Sequence, residues 1–443
     1  MKIVVVGGVA AGMSAASKIK RLDASAQVVV YEKGDFLSYG ACGLPYYVGG
    51  FNDDYKKMIA RTKEQFISQG IQVFTKHEVL KVIPEDKKLL VRNHLTGDVF
   101  IDTYDKLMVA TGATAIKPPL EGIDKKGIYQ LKTLEDGMEL KEALQKSTVQ
   151  KVIVVGGGYI GIEVVDACLH LGKQVTCIEF APRILMPFDE EIAELGKTEL
   201  LEKGVALKTG EKVLRLEGDE EVKYVITDKG KYEADLVVLA IGIRPTTGFL
   251  KETGIHMAPN GGIIVDRELR TSLPDIWAAG DCITVYNRSL EENSYLALGT
   301  VANKCGRIAG ENILGAHKKF IGALGSAAIK ICDMELGRTG LGEVDAKRLG
   351  IDYKTVIVSA YDHPAYYPGQ TPITIKLIYE AHTKRLLGAQ TAGYKGAVMR
   401  VDVFAVAIHN RMTTDELGMT DLVYAPPFAG VWDAIHIACN AAR

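Results

Sequence analysis

One pattern occurs twice in this chain: an apolar strand, a glycine-rich turn, a helix, and a second apolar strand closed by a glutamate. The first copy runs Lys2–Val6, Gly7–Gly12, Met13–Leu22 and Gln27–Glu32; the second runs Lys151–Val155, Gly156–Gly161, Ile162–Leu171 and Gln174–Glu179. Each copy reads as a βαβ unit, because only a crossover helix can bring two sequential strands side by side in parallel. Repetition of the unit about 150 residues further on predicts two nucleotide-binding domains within an α/β chain. Asp105–Ala110, closed by Thr111-Gly112-Ala113, and Leu236–Ile241, closed by Gly242 and Arg244-Pro245, read as strands that return each unit to a junction. From about Phe320 the grammar changes. Ile373–Tyr379 and Arg385–Thr391 alternate like strands, Val398–Asn410 has helical spacing, and no glycine fingerprint recurs. Residues 320–443 therefore read as a third, α+β domain.

The net charge of −2 gives no electrostatic reason to expect nucleic acid or an acidic membrane as partner. Met1–Val6 enters a strand directly with no cleavage-site pattern, and no apolar run reaches the roughly 20 residues of a membrane helix. A cytoplasmic protein is expected. The seven cysteines (42, 168, 177, 282, 305, 332 and 439) form no Cys-x-x-Cys and no Cys/His cluster, so neither structural zinc nor a disulfide framework is expected. Thiol chemistry must then rest on one cysteine and something supplied from outside.

Gly156, Gly158 and Gly161 complete a G-x-G-x-x-G at a strand-to-helix junction. Such a loop turns tightly, lets a pyrophosphate approach the backbone, and offers it the free N–H groups of the helix start. Glu179, at the end of the next strand, suits both ribose hydroxyls and would repel a 2′-phosphate, which favours NADH over NADPH; Arg183 lies close enough to temper that preference. The first loop departs from the fingerprint: Val9 stands where the middle glycine belongs and would crowd a pyrophosphate unless the loop is slightly shifted, although Glu32 is correctly spaced for a ribose. In Thr271–Asp281 a short strand ending in Gly280-Asp281 can aim a carboxylate at the sugar-alcohol chain of a flavin.

Cys42 lies ten residues beyond Glu32, among Gly40, Gly43 and Pro45, a pattern for a tight turn entering a helix. A helix N-terminus would lower its pKa and favour the nucleophilic thiolate. The other six cysteines read as buried and structural.

Thr271–Asp281 resembles the second FAD signature of the pyridine nucleotide–disulfide oxidoreductases, and Thr111-Gly112 resembles another of their turns. The resemblance implies two Rossmann-like domains, FAD-binding (1–115 and 240–319) and NAD-binding (116–239), plus a dimerisation domain (320–443). It implies FAD on Gly7, Gly12, Glu32, Lys33, Val79, Thr111, Gly112 and Asp281. The nicotinamide dinucleotide would lie on Gly156, Gly158, Tyr159, Ile160, Gly161, Glu179 and Gly242, with Tyr159 moving aside for the nicotinamide. Cys42 takes the place of the redox cysteine. Members similar to glutathione reductase carry a second cysteine where this chain has Tyr47, so oxidised Cys42 is a mixed disulfide, a persulfide or a sulfenic acid. Tyr366 and Tyr424 resemble the paired tyrosines that coenzyme A-disulfide reductases supply from the partner subunit, which implies an obligate homodimer. Ser14, Lys18, Arg21 and Ser38 loosely match that family's coenzyme A positions. At positions the family draws from the partner, the chain has Asn303 and Trp432; some members carry a lysine in place of the latter, and Val431-Trp432-Asp433 resembles members linked to persulfide reduction. The implied activity is NADH-dependent reduction of coenzyme A disulfide, a persulfide or a polysulfide. An NADH oxidase or peroxidase cycling a sulfenic acid, and a redox-switched interaction protein, remain as alternatives.

Overall fold

The computed structural model describes residues 1–443. Both βαβ units form. In the first, Lys2–Val6 pairs in parallel with Gln27–Tyr31 on one side and Lys106–Val109 on the other, within the five-stranded order Ile276–Ala278, Lys106–Val109, Lys2–Val6, Gln27–Tyr31, Ile71–Phe74. The second sheet repeats the plan as Ala206–Thr209, Gln174–Glu179, Lys151–Val155, Leu236–Leu239, Ile128–Tyr129, again all parallel. Covering on both faces explains why the central strands Ile3–Val6 and Val152–Val155 are buried without alternation. The helices begin earlier than periodicity suggested, at Ala10 and Tyr159, so that Gly12 and Gly161 lie inside the first turn.

One hydrophobic core of 44 residues joins Ile3–Val109 to Leu250–Phe320. The first unit is thus built from two stretches of chain. Helix Ala10–Leu22 packs on helix Gly299–Ile313, and Gly306 permits the close approach: a Cβ there would lie 2.3 Å from the carbonyl oxygen of Ala11. An antiparallel ribbon of Ala113–Ala115 and Ile243–Pro245 carries the chain between the two units. Two three-stranded antiparallel sheets, His77–Thr103 and Val213–Glu233, add to the plan read from the sequence.

The C-terminal region forms a five-stranded antiparallel sheet ordered Ala327–Ile331, Met334–Gly340, Leu386–Gly393, Pro372–Glu380, Tyr353–Tyr361, backed by helices Ala397–His409 and Ala434–Ala441. It meets the second nucleotide unit around Lys376. That side chain has no exposed surface, and its Nζ lies 3.2 Å from Asp189 Oδ2, 2.6 Å from Glu191 Oε2 and 2.5 Å from Glu343 Oε1. No helix is long and apolar enough to cross a membrane.

Candidate active site

The two glycine loops end in the same clasp. Glu32 accepts from Gly8 N at 2.6 Å through Oε2 and from Gly34 N at 2.7 Å through Oε1. Glu179 accepts from Gly157 N at 2.5 Å and from Ala181 N at 2.6 Å in the same manner. Each carboxylate therefore ties a glycine loop to the turn after the second strand and keeps free lone pairs for further donors. Burial pushes the Glu32 carboxyl up, against the pull of its two backbone N–H groups. Neither following helix has a side-chain cap on its N-cap residue, Val9 or Gly158, so the first-turn N–H groups face outward. Thr62 and Thr133, by contrast, close their helices with capping boxes.

Val9 sits in the first loop without backbone strain. The corresponding Gly158 has φ −80°, ordinary for any residue, and a Cβ there would meet no protein atom within 4 Å. Val9 itself has φ −102° and differs mainly in ψ, −131° against −173°. Gly7 and Gly12, and equally Gly156 and Gly161, do require glycine: a Cβ on Gly12 or on Gly161 would fall 1.9 Å from the carbonyl oxygen of Gly7 or Gly156. These cradles fit the pyrophosphate and ribose of a dinucleotide.

Asp281 follows strand Ile276–Ala278, which adds to the sheet that carries the first loop and so brings the carboxylate to the carboxyl end of that sheet, where open α/β folds bind ligands. Its Oδ2 is 3.1 Å from Lys132 Nζ. Thr111 Oγ1 donates to Thr246 O at 2.7 Å, Gly112 takes φ +65°, and Gly242 takes φ +115°. Lys33 turns to the surface and pairs with Glu78 at 2.7 Å, while Val79 is buried in strand His77–Ile83. Arg183 donates to the carbonyls of Ile184, Leu185 and Met186 at 3.3–3.5 Å. Tyr159 and Ile160 open the second helix, and the Tyr159 hydroxyl is buried with no hydrogen-bond partner, near Arg338 and 6.0 Å ring to ring from Phe188.

Cys42 alone among the seven cysteines is exposed. It lies in the 3₁₀ turn Ala41–Gly43 that leads into helix Leu44–Val48. The expected fall in its pKa is corrected by the structure. Protein crowded around the sulfur of this otherwise accessible residue pushes the thiol up, Glu163 and Asp281 push it further, and Lys132 opposes them. A five-residue helix has little aligned dipole to set against this. The sulfur faces the start of helix Gly299–Ile313: a Cβ on Gly299 would lie 4.0 Å from Cys42 Sγ, at ordinary van der Waals distance. Tyr47, at the place of a second cysteine, is buried with Lys141 Nζ 4.4 Å from its ring centre.

Tyr366 and Tyr424 are brought together although they are far apart in sequence: their hydroxyls are 2.9 Å apart, and both rings are exposed, 72% and 45%. Val423, Phe428, Val431 and Trp432 extend this uncovered surface.

The coenzyme A candidates are arranged less simply than expected. Ser14 Oγ donates to Asn303 Oδ1 at 2.8 Å within the same chain, and Lys18 is 2.8 Å from Glu311. Arg21 is exposed with no partner. Ser38 adopts φ +47° and donates its N–H to Gly8 O, coupling the cysteine loop to the first glycine loop. Sequence reasoning missed Lys132 and Glu163. Burial raises the Glu163 carboxyl to about 7, with Asp166 adding to the effect. Its signal was present, since it lies one turn after Tyr159 on the same helix; Lys132, paired with a residue far along the chain, gave none.

Two dinucleotide clasps, a carboxylate at the sheet edge and one accessible thiol define a flavin-dependent oxidoreductase of the single-thiol type. Residues 1–304 match the pyridine nucleotide-disulphide oxidoreductase family and residues 326–435 match its dimerisation domain, so the chain belongs to that family. It is an FAD- and pyridine nucleotide-using oxidoreductase whose C-terminal region is a dimerisation domain. It is 37% identical to the NAD(P)H coenzyme A polysulfide/persulfide reductase of Pyrococcus horikoshii, over 100% of this chain and 98% of that protein. It is 33% identical to an NADH oxidase of Enterococcus faecalis, over 100% of this chain and 99% of the other. The crystal structure of reduced Bacillus anthracis CoADR-RHD superposes with a TM-score of 0.97 at 33% identity, covering 100% of this chain and 80% of that one.

Proposed function

We propose that this enzyme uses NADH to reduce coenzyme A disulfide, or a coenzyme A persulfide or polysulfide, through Cys42. The observation that carries the reading is the lone accessible thiol with no internal partner: Cys42 is exposed, and Tyr47 occupies the place of a resolving cysteine. The naming of the Pyrococcus horikoshii relative as a coenzyme A polysulfide/persulfide reductase supports it.

On this reading residues 1–115 and 240–319 hold FAD on Gly7, Gly12, Glu32, Thr111, Gly112 and Asp281. Residues 116–239 hold NADH on Gly156, Gly158, Gly161 and Glu179, with Tyr159 at the nicotinamide end. FAD held there would supply the two-electron chemistry that links NADH to sulfur. Cys42 Sγ attacks one sulfur of the substrate, forming a mixed disulfide while the other sulfur leaves as thiolate or hydrosulfide. Tyr366 and Tyr424 of the partner subunit protonate the leaving sulfur; their hydroxyl pair shares one proton donor, since one phenol accepts from the other. Two electrons then cleave the mixed disulfide, restoring Cys42 and freeing the second thiol. For a disulfide the balance is one NADH and one solvent proton consumed, with NAD⁺ and two thiols formed. Ser14, Lys18, Arg21 and Ser38 flank the substrate path. An enzyme working through a free thiol suits the reducing cytoplasm, where we place it.

Anaerobic oxidation of NADH with coenzyme A disulfide and then with coenzyme A persulfide tests the proposal, and Cys42→Ser supplies the control. The variant should still bleach the flavin with NADH yet turn over neither substrate; normal turnover would exclude Cys42. The relative named as an NADH oxidase supports a second reading, in which Cys42 cycles through a sulfenic acid. Rapid oxygen or peroxide consumption without anaerobic sulfur turnover would select it.

A further inference from the structure

Away from both clasps and from Cys42, one cavity gathers arginines. It has a volume of about 260 Å³ and lies where the end of the FAD-side unit meets the C-terminal sheet. Arg267 and Arg288 reach it from the first, Arg385 and Arg411 from the second. Like charges converge here against a single acidic residue in the wall, Glu291, whose side chain is 66% exposed and lies 3.6 Å from Arg411. Glu380, outside the wall, holds Arg385 at 2.7 Å.

The guanidinium groups are fixed but not used up. Arg267 Nε donates to Phe320 O at 2.5 Å, and its charge lies 4.2 Å from the centre of the Tyr286 ring. Arg288 donates to Ile321 O at 3.5 Å and to His409 O at 3.1 Å. Each guanidinium carries five N–H donors, so four of them offer about twenty, and these bonds occupy only a handful. Arg385 Nε and Ser289 Oγ, in residues of the wall, are buried with no hydrogen-bond partner, which is costly. The wall also carries the apolar side chains Leu324, Leu341 and Ile408. Positioned forks, unpaired donors and an apolar floor are what recognition of an organic phosphate requires.

We propose that this cavity binds a small phosphorylated organic anion, with Arg288 and Arg385 taking the phosphate from opposite sides of the unit boundary and the apolar wall taking its carbon part. Its occupant ties the FAD-side unit to the C-terminal domain, and the site stands independently of the reaction proposed above.

The test uses the FAD-loaded dimer saturated with NAD⁺, so that phosphate cannot enter the dinucleotide sites. Titration calorimetry with 3-phosphoglycerate at physiological ionic strength should give saturable binding with Kd of about 1 mM or tighter. Arg385→Gln and Arg411→Gln should each weaken it by about tenfold or more while NADH turnover stays unchanged. Arg411 is 68% exposed and bonded only to Glu291, so its variant keeps the test valid even if Arg385→Gln unfolds. Absence of saturable binding, or equal affinity in the folded variants, would overturn the site.

Discussion

Replacing Lys376 by Met should be felt across the boundary between the second nucleotide unit and the C-terminal domain. Burial alone would lower the ammonium, but its bonds to Glu191 and Glu343 more than offset that, and Lys376 is held above its ordinary pKa. Removing the cation leaves three carboxylates facing one another. Loss of one partner from a buried ion pair costs about 3–5 kcal/mol. The Asp189 side chain is 7% exposed and takes that penalty nearly in full, whereas Glu343 at 25% and Glu191 at 49% can rehydrate. The sum should therefore sit near the lower end, at about 3 kcal/mol. Urea unfolding followed by circular dichroism measures it, and hydrogen exchange over 189–202 and 372–380 localises it. Adding Asp189→Asn to Lys376→Met removes the most buried stranded charge and should recover about 1 kcal/mol or more. If Lys376→Met shifts stability by less than about 0.5 kcal/mol, or if the double variant is no better than the single, the cluster is not the pin described here.

Three further outcomes are expected. The bond from Lys376 holds the Glu343 carboxyl below its usual value of 4.5, so its contribution is full above that pH and is lost as pH falls through the lower folded value; the thermal midpoint should drop on acidification below about pH 4.5, and less steeply in Lys376→Met. Glu163→Gln removes a negative neighbour of Cys42 and should move the pH profile of its alkylation by iodoacetamide downward, whereas Lys132→Met should move it upward; no movement in either would show that these charges do not govern the thiol. Gly161→Ala places a Cβ 1.9 Å from the carbonyl oxygen of Gly156, which should displace the loop and raise the KM for NADH by about tenfold or more with FAD retained, as read by steady-state kinetics and the flavin spectrum.

Local chemistry carried most of the fold to the reader of the sequence. Both glycine loops and the glutamates that close them are short-range patterns, and each appears within a few residues of its expected place; the two C-terminal strands also form where expected, but Leu386–Gly393 is buried throughout rather than alternating. What the sequence hid depends on distant residues. The pairing of Lys132 with Asp281, the Lys376 cluster and the arginine cavity join segments that no periodicity links. Cys42 shows the same limit in another form. Its turn and accessibility follow from Gly40, Gly43 and Pro45, but the sign of its pKa shift is set by Glu163 and Asp281, which arrive from other elements. Ser14 and Lys18 share a helix face as their spacing predicts, yet helix Gly299–Ile313 meets that face and supplies Asn303 and Glu311 as partners.

The lonely hydroxyl of Tyr159 makes the closed position of that side chain a poor resting place. A buried O–H with no acceptor forfeits about 1–3 kcal/mol that water would return to it outside. The ring's apolar body gains from lying near Phe188 while its tip loses, so the two ends of one side chain pull in opposite directions. Such a door is held only by a shallow latch. On the function proposed above, an incoming nicotinamide would displace a group that gains hydration on leaving.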